Sequence, residues 1–230
     1  MTINPHTRQE SILDAAARLI IQYGYDKTTI GDVADAIGLN RALVYGHFKS
    51  KEDLLESLIR REMRRYGEAW FKHLMTDPKG GTIASVYRGI AYSLKANPFM
   101  AAIVTRNGDT FGKYLRKPGN IFEGMQSQNM ANSLLQDLQD AGTIRQDVNI
   151  AAITYIMDVL ANSMVNLPRT GSVPPYDELL ETVAEMLDRM LTPEDGGNIE
   201  AGKNILRQLA EEANKFFDQL DTPTAVRRQP

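Results

Sequence analysis

The chain has 230 residues, 43% of them hydrophobic and 24% charged, with a net charge of −3, the balance of an ordinary globular protein with room for one large domain or a small one joined to a larger one. It contains no cysteine, which excludes disulfides, thiolate catalysis and Cys-based zinc or iron–sulfur sites. No overall basicity advertises nucleic acid, so any such case must rest on local chemistry.

The first residues, MTINPHTRQESILDAAARLI, lack a basic segment leading into a long apolar one, so no signal peptide is expected. No window approaches the roughly 18 uninterrupted apolar residues of a membrane span, and a cytoplasmic protein without membrane contact is expected. Ile12, Ala15, Ala16, Leu19 and Ile20 recur at helical spacing before YGYDK breaks the pattern. A short second helix is expected over 29–36, with Thr28 or Thr29 as its N-cap, Asp32 near its start and Gly38 just past its end. Asn40 caps a third short helix, 41–47, and Ser50 a long fourth one from 51 to about 75. Further helices are expected over 82–96, 98–106, 121–141, 147–167, 176–191 and 198–220, separated by breaks rich in Pro and Gly. The stretch RNGDTFGKYLRKPGNIF reads as a long polar loop, suited to a pocket entrance or lid, and the tail 223–230 as disordered.

Two short helices joined by a turn containing Gly38 make a helix-turn-helix signature. Val33, Ala34, Ile37, Leu39, Val44 and Phe48 can form a small core with Ile12, Ala16 and Leu19. Asn40, Arg41, Leu43, Tyr45 and His47 then remain outward on the third helix, offering donors and flat or apolar groups to a major groove. Thr28, Thr29 and Lys51 sit at helix starts, where hydroxyls, free N–H groups and the helix dipole can grip phosphates. Residues 1–60 hold seven Lys or Arg against eight Asp or Glu, a balance that predicts weak nonspecific affinity for this module.

The run TTIGDVADAIGLNRALVYGHFKSKEDLL resembles the DNA-binding segment of the TetR family of transcriptional repressors, through the Thr pair, DVADAIGL, the VY pair and HFKSKEDLL. With the first helix the likeness extends over most of 8–60; the rest of the chain matches in size and helical character. The resemblance implies an all-α protein. An N-terminal three-helix helix-turn-helix DNA-binding domain, 1–53, would precede a helical effector-binding and dimerisation domain, 54–192, an additional helix in 193–222 and the tail 223–230. It implies a homodimeric repressor on a pseudo-palindromic double-stranded operator, released by a small, mainly hydrophobic effector. In that reading Tyr45 and His47 contact DNA, Thr29 and Lys51 grip phosphates, and Arg41, Ala42 and Leu43 read bases. Gly31 and Gly46 depart from the family pattern, since neither supplies a side chain, and Gly46 within the third helix would weaken it by roughly 1 kcal/mol relative to Ala.

Beyond the motif, RREMRR at 60–65 is either a solvated face or a set of cations pairing with acids of the DNA-binding domain. Trp70, Met75, Tyr87, Tyr92, Phe99, Phe111, Phe122 and Met125 are candidates for an adaptable apolar effector pocket. The helices 147–167 and 176–191 are apolar enough to dimerise, and 198–220 could pack on its own chain or on a partner. Three other assignments lack support. There is no Ser/His/Asp elbow, phosphate loop or His-x-x-x-His pair, so no enzyme, metal or cofactor is expected. An architectural DNA-binding dimer that senses no small molecule is the alternative.

Overall fold

The computed structural model describes residues 5–123, 127–165 and 174–221. Every described element is helical: α1 (Pro5–Tyr23), α2 (Ile30–Asp35), α3 (Arg41–Tyr45), α4 (Lys51–Thr76), α5 (Ile83–Ala96), α6 (Pro98–Val104), α7 (Gly108–Phe111), a 3-10 helix (Gly112–Arg116), α8 (Ser127–Asp140), α9 (Ile150–Val165), α10 (Tyr176–Leu191) and α11 (Ile199–Asp221). The all-α architecture expected from the periodicity is therefore the one observed.

Two expectations need correction. The polar stretch 106–122 is not a bare loop, because α7 and the 3-10 helix occupy most of it. Asn107 starts α7 by accepting the Thr110 N–H at 2.8 Å, and the few apolar rings bury one another: Phe111 lies 5.7 Å from Phe99 and 5.0 Å from Phe122, centroid to centroid. Rings in edge contact supply the burial that the polar composition hides. The helix expected from 121 begins at Ser127. Asn120 holds 121–123 in a turn, its amide donating to Lys117 O at 2.7 Å and its oxygen accepting the Phe122 N–H at 2.9 Å. The tail 223–230 lies outside the described residues.

Contacts divide the chain into two compact units, Met1–Met63 with Leu94–Asn129, and Arg64–Ser93 with Met130–Pro230. Packing thus groups α6, α7 and the 3-10 helix with α1–α3, beyond the DNA-binding domain of 1–53 expected from the sequence. In the first unit Ile12, Ala16, Val33, Ala34, Val44 and Phe48 are buried, and Leu19, Ile37 and Leu39 are half-buried at their edge. In the second, Ile83, Tyr87, Leu138, Ile153, Leu180 and Leu187 form the main core, joining α5, α8, α9 and α10. A smaller cluster of Leu74, Val86 and Leu206, with Trp70 and Met75 against it, fixes α11 to α4 and α5, and Arg64 reaches Asp218 at 3.3 Å. So α11 packs against α4 and α5 of its own chain.

Candidate nucleic-acid interface

The helix-turn-helix is built from local hydrogen bonds that its sequence dictates. Thr29 and Asp32 form a capping box on α2: the Thr29 N–H and hydroxyl both donate to Asp32 Oδ2 at 2.8 Å, and Thr29 Oγ1 accepts the Asp32 N–H at 3.2 Å. These bonds, first from the Thr29 hydroxyl and then from its backbone, hold the Asp32 carboxyl below the usual carboxylate range, and Arg41 and Lys51 add to the effect. Gly38, with φ of +65°, takes the left-handed conformation that lets the chain leave α2 and turn. Asn40 Oδ1 then accepts the Leu43 N–H at 2.9 Å and starts α3.

A five-residue helix has no stability of its own, so α3 is held by burial. Val44 is 0% and Phe48 2% exposed, while Leu43 and Tyr45 are 38% and 54% exposed. Arg41 and Ala42 are exposed and His47 half-buried, its ring 6.4 Å from that of Phe48. The outward face therefore carries the residue types that the sequence assigned to it. Gly46 corrects an expectation: α3 ends at Tyr45 and Gly46 is its C-cap, so the penalty for glycine inside a helix does not apply there.

Thr28 is a second correction. It is 4% exposed, and its hydroxyl donates to Gly24 O at 2.9 Å. The hydroxyl closes the turn after α1, so its side chain has nothing to offer a phosphate. Thr29 is exposed and keeps that option. Lys51 lies 4.1 Å above the Tyr25 ring centroid and 3.4 Å from Asp26 O, a cation–π seat. Desolvation pulls its pKa down, and Asp26 and Asp32 push back.

Sequence reasoning missed the neighbour of Gly31. A Cβ there would meet Arg41 Nη2 at 2.5 Å, so the guanidinium lies directly against α2, where its charge helps lower the Asp32 pKa.

Behind this face, Arg61 of α4 pairs with α1. Its Nη1 is 2.8 Å from Asp14 Oδ1 and 3.2 Å from Glu10 Oε2, and its Nη2 is 2.6 Å from Glu62 Oε1. Glu62, 5% exposed, also accepts from Asn97 Nδ2 at 2.6 Å, and Asn97 Oδ1 caps α6. One buried polar network thus ties α1, α4 and α6 together. The RREMRR run signalled the cation, but nothing in the spacing signalled Asn97.

Of the eight effector-pocket candidates, four lie in the second unit, three in the first and one outside the described residues. Trp70 and Met75 pack on the Leu74 cluster, and the Trp70 indole N–H donates to Val86 O at 3.4 Å. Tyr87 is in the second unit's main core, and Tyr92 is exposed, donating to Glu181 at 3.0 Å. Phe99, Phe111 and Phe122 stack edge to face in the first unit, and Met125 lies outside the described residues. Two clefts, of about 480 Å³ around Arg145 and Glu194 and about 470 Å³ around Tyr23 and Asp109, are lined by none of the eight. Among the described residues no three acids or histidines are placed to hold a metal, and no helix is long and apolar enough to cross a membrane.

Residues 12–58 match the family model described as bacterial regulatory proteins, tetR family. A HTH-type transcriptional repressor of Mycobacterium tuberculosis is 40% identical over 58 residues, which are 25% of this chain and 31% of that protein. The HTH-type transcriptional repressor AcnR of Corynebacterium glutamicum is 23% identical over 188 residues, 78% of this chain and 92% of that one. Among solved structures, the fatty acid degradation regulator FadR of Bacillus halodurans aligns with a TM-score of 0.59 at 20% identity, over 81% of this chain and 96% of its own. FadR of Bacillus subtilis, solved in complex with stearoyl-CoA, aligns with a TM-score of 0.56 at 20% identity, over 77% and 96%. At these identities the two structures speak for the fold, and the sequence matches speak for the DNA-binding segment.

Proposed function

We propose that this TetR-family transcriptional regulator is a repressor that binds a pseudo-palindromic duplex as a homodimer and is released from it by a small, mainly hydrophobic effector. The observation that carries the reading is the division of α3: Val44 and the following Phe48 are buried while Arg41, Ala42, Leu43 and Tyr45 are exposed. That division lets a packed edge set the docking angle while the other edge enters a major groove. Arg41 suits a guanine edge, Leu43 a thymine methyl, and Thr29, His47 and Lys51 the flanking phosphates.

Dimerisation is supported by apolar side chains left in solvent on α9 and α10: Tyr155, Ile156 and Val159 on the first, Met186 and Met190 on the second. A C2 dimer would present its two recognition helices to half-sites roughly 34–36 Å apart. The effector is supported by the FadR relative solved with stearoyl-CoA. Tyr87, buried with its hydroxyl unpartnered, is suited to meet the polar atom of an otherwise apolar ligand. A DNA-binding dimer without an effector is the second reading, favoured by the ring-on-ring packing of Phe99, Phe111 and Phe122.

The test is a selection of random duplexes at fixed salt with the purified chain, wild type beside Tyr45→Ala. A palindromic site enriched by wild type and bound about tenfold or more weakly by the variant is the expected result. Enrichment of no site after refolding to strip any ligand would sink the reading. Long-chain acyl-CoA added to the selected complex then separates the two versions, since only the first predicts release.

A further inference from the structure

The segment after α6 is fastened to the turn between α1 and α2 at several points. The Tyr25 N–H donates to Thr110 O at 2.7 Å, and the Lys113 N–H donates to Asp26 Oδ2 at 3.1 Å. The Tyr114 hydroxyl donates to Glu56 Oε1 at 3.0 Å, and its ring sits edge-on to Tyr25 at 5.7 Å. Lys117 pairs with Glu52 in the first turn of α4. Two glycines permit the approach: a Cβ at Gly24 would meet Asp109 O at 2.6 Å, and one at Gly112 would meet Asp26 Oδ2 at 2.4 Å. The 3-10 helix is therefore fixed beside the start of α4.

That position is next to the phosphate-gripping candidates. Asp26 is shared: its carboxylate accepts from the backbone of Lys113 and its carbonyl from Lys51 Nζ. In a 3-10 helix residues three apart eclipse, so Lys113 and Arg116 project on one side. Both are exposed, and neither has a counter-ion among the described residues. The nearby acids are occupied elsewhere: Asp26 by the Lys113 backbone, Glu52 by Lys117, Glu56 by Tyr114 and Arg60. Asp109 lies in the first turn of α7, where the helix dipole favours its charge.

We propose that Lys113 and Arg116 form a second phosphate-binding element outside the helix-turn-helix, gripping operator backbone beside the phosphates reached from α2 and α4. The partner is duplex DNA, and the contact carries no sequence information. It also accounts for a polar segment held by so many anchors, because two side chains positioned in advance lose less entropy on binding than a floppy loop would. The inference rests on the DNA-binding reading proposed above.

The test uses the full chain and a duplex selected by wild type. Dissociation constants are measured from 50 to 200 mM KCl for wild type, for Lys113→Gln/Arg116→Gln, and for Arg207→Gln/Lys215→Gln, a control with the same charge change on the exposed side of α11. Each phosphate contact contributes about 0.9 to the slope of log affinity against log salt, so the first variant should lose about 1.8 per bound subunit. Its deficit should shrink as salt rises and be of similar fold on a scrambled duplex. An unchanged slope, or a change matched by the control, overturns the inference and leaves the parent reading standing. If wild type selects no duplex, the parent reading fails and takes this one with it.

Discussion

Replacing Arg61 with methionine removes one guanidinium from three carboxylates, and their burial decides the cost. The side chains of Glu10 and Asp14 are 32% and 57% exposed, so water resolvates them at little expense. The Glu62 side chain is 7% exposed. It keeps the Asn97 amide but loses the cation 2.6 Å away. Breaking a buried pair from one side typically costs 3–5 kcal/mol, and because Glu62 keeps other partners, the Asn97 amide among them, Arg61→Met belongs at the lower end, about 3 kcal/mol. Removing the buried carboxylate as well, in Arg61→Met/Glu62→Gln, should recover part of that, up to about 2 kcal/mol, because its desolvation penalty leaves with it. Urea unfolding followed by circular dichroism, at one fixed protein concentration, measures both, with Glu62→Gln alone completing the cycle. If the double variant equals the sum of the two single ones within about 0.5 kcal/mol, the pair is not coupled and the network does not hold α1 and α6 to α4.

Thr29→Ala and Asn40→Ala each delete an N-cap and should each cost about 1 kcal/mol in the same assay, with Ser substitutions recovering most of it. Tyr87→Phe removes a buried hydroxyl that has no partner and should be neutral or stabilising by up to about 1 kcal/mol. Tyr114→Phe, by contrast, breaks bonds to Glu56 and Ile121 and should destabilise, so equal effects at the two sites would refute this assignment. The Asp32 carboxyl is held below the usual carboxylate range. Its contribution is therefore present above the unfolded pKa of about 3.9 and is lost as pH falls through the lower folded value. The stability gap between wild type and Asp32→Asn should be full at neutral pH and close in acid. Burial first, then Glu52, Asp26 and Glu56, pushes the Tyr25 phenol up to about 12. The ultraviolet phenolate titration of Tyr25→Phe should accordingly lack one group ionising near that pH.

The helix-turn-helix was readable because its signals are local. Thr29 finds Asp32 three residues on, and Asn40 finds the Leu43 N–H three residues on, so a cap and a periodicity within one turn suffice to place α2 and α3. The long helices were readable for the same reason, while ends such as that of α8, expected at 121 and found at Ser127, depend on a turn that Asn120 closes. What escaped was most assignments that need a partner far along the chain, the Arg61 pairing with α1 being one the RREMRR run had left open. Thr28 and Thr29 are adjacent and chemically identical, yet one closes a turn and the other faces solvent. Sequence marked the aromatics between 70 and 125 as pocket candidates, but hydrophobicity carries no address: within the second unit Tyr87 joins the main core, and within the first Phe99, Phe111 and Phe122 pack on one another.

By itself, then, the sequence determined the all-helical class, the DNA-binding motif and the outward face of α3, since helical periodicity and capping are settled by residues within a turn of each other. Only the tertiary structure decided that Arg41 lies over Gly31, that Arg61 spans Glu10, Asp14 and Glu62, and that Asp26 fastens the 3-10 helix beside α4. Those contacts join residues up to 87 positions apart, and their geometry exists only once the cores of Phe48 and Phe111 have closed and excluded water.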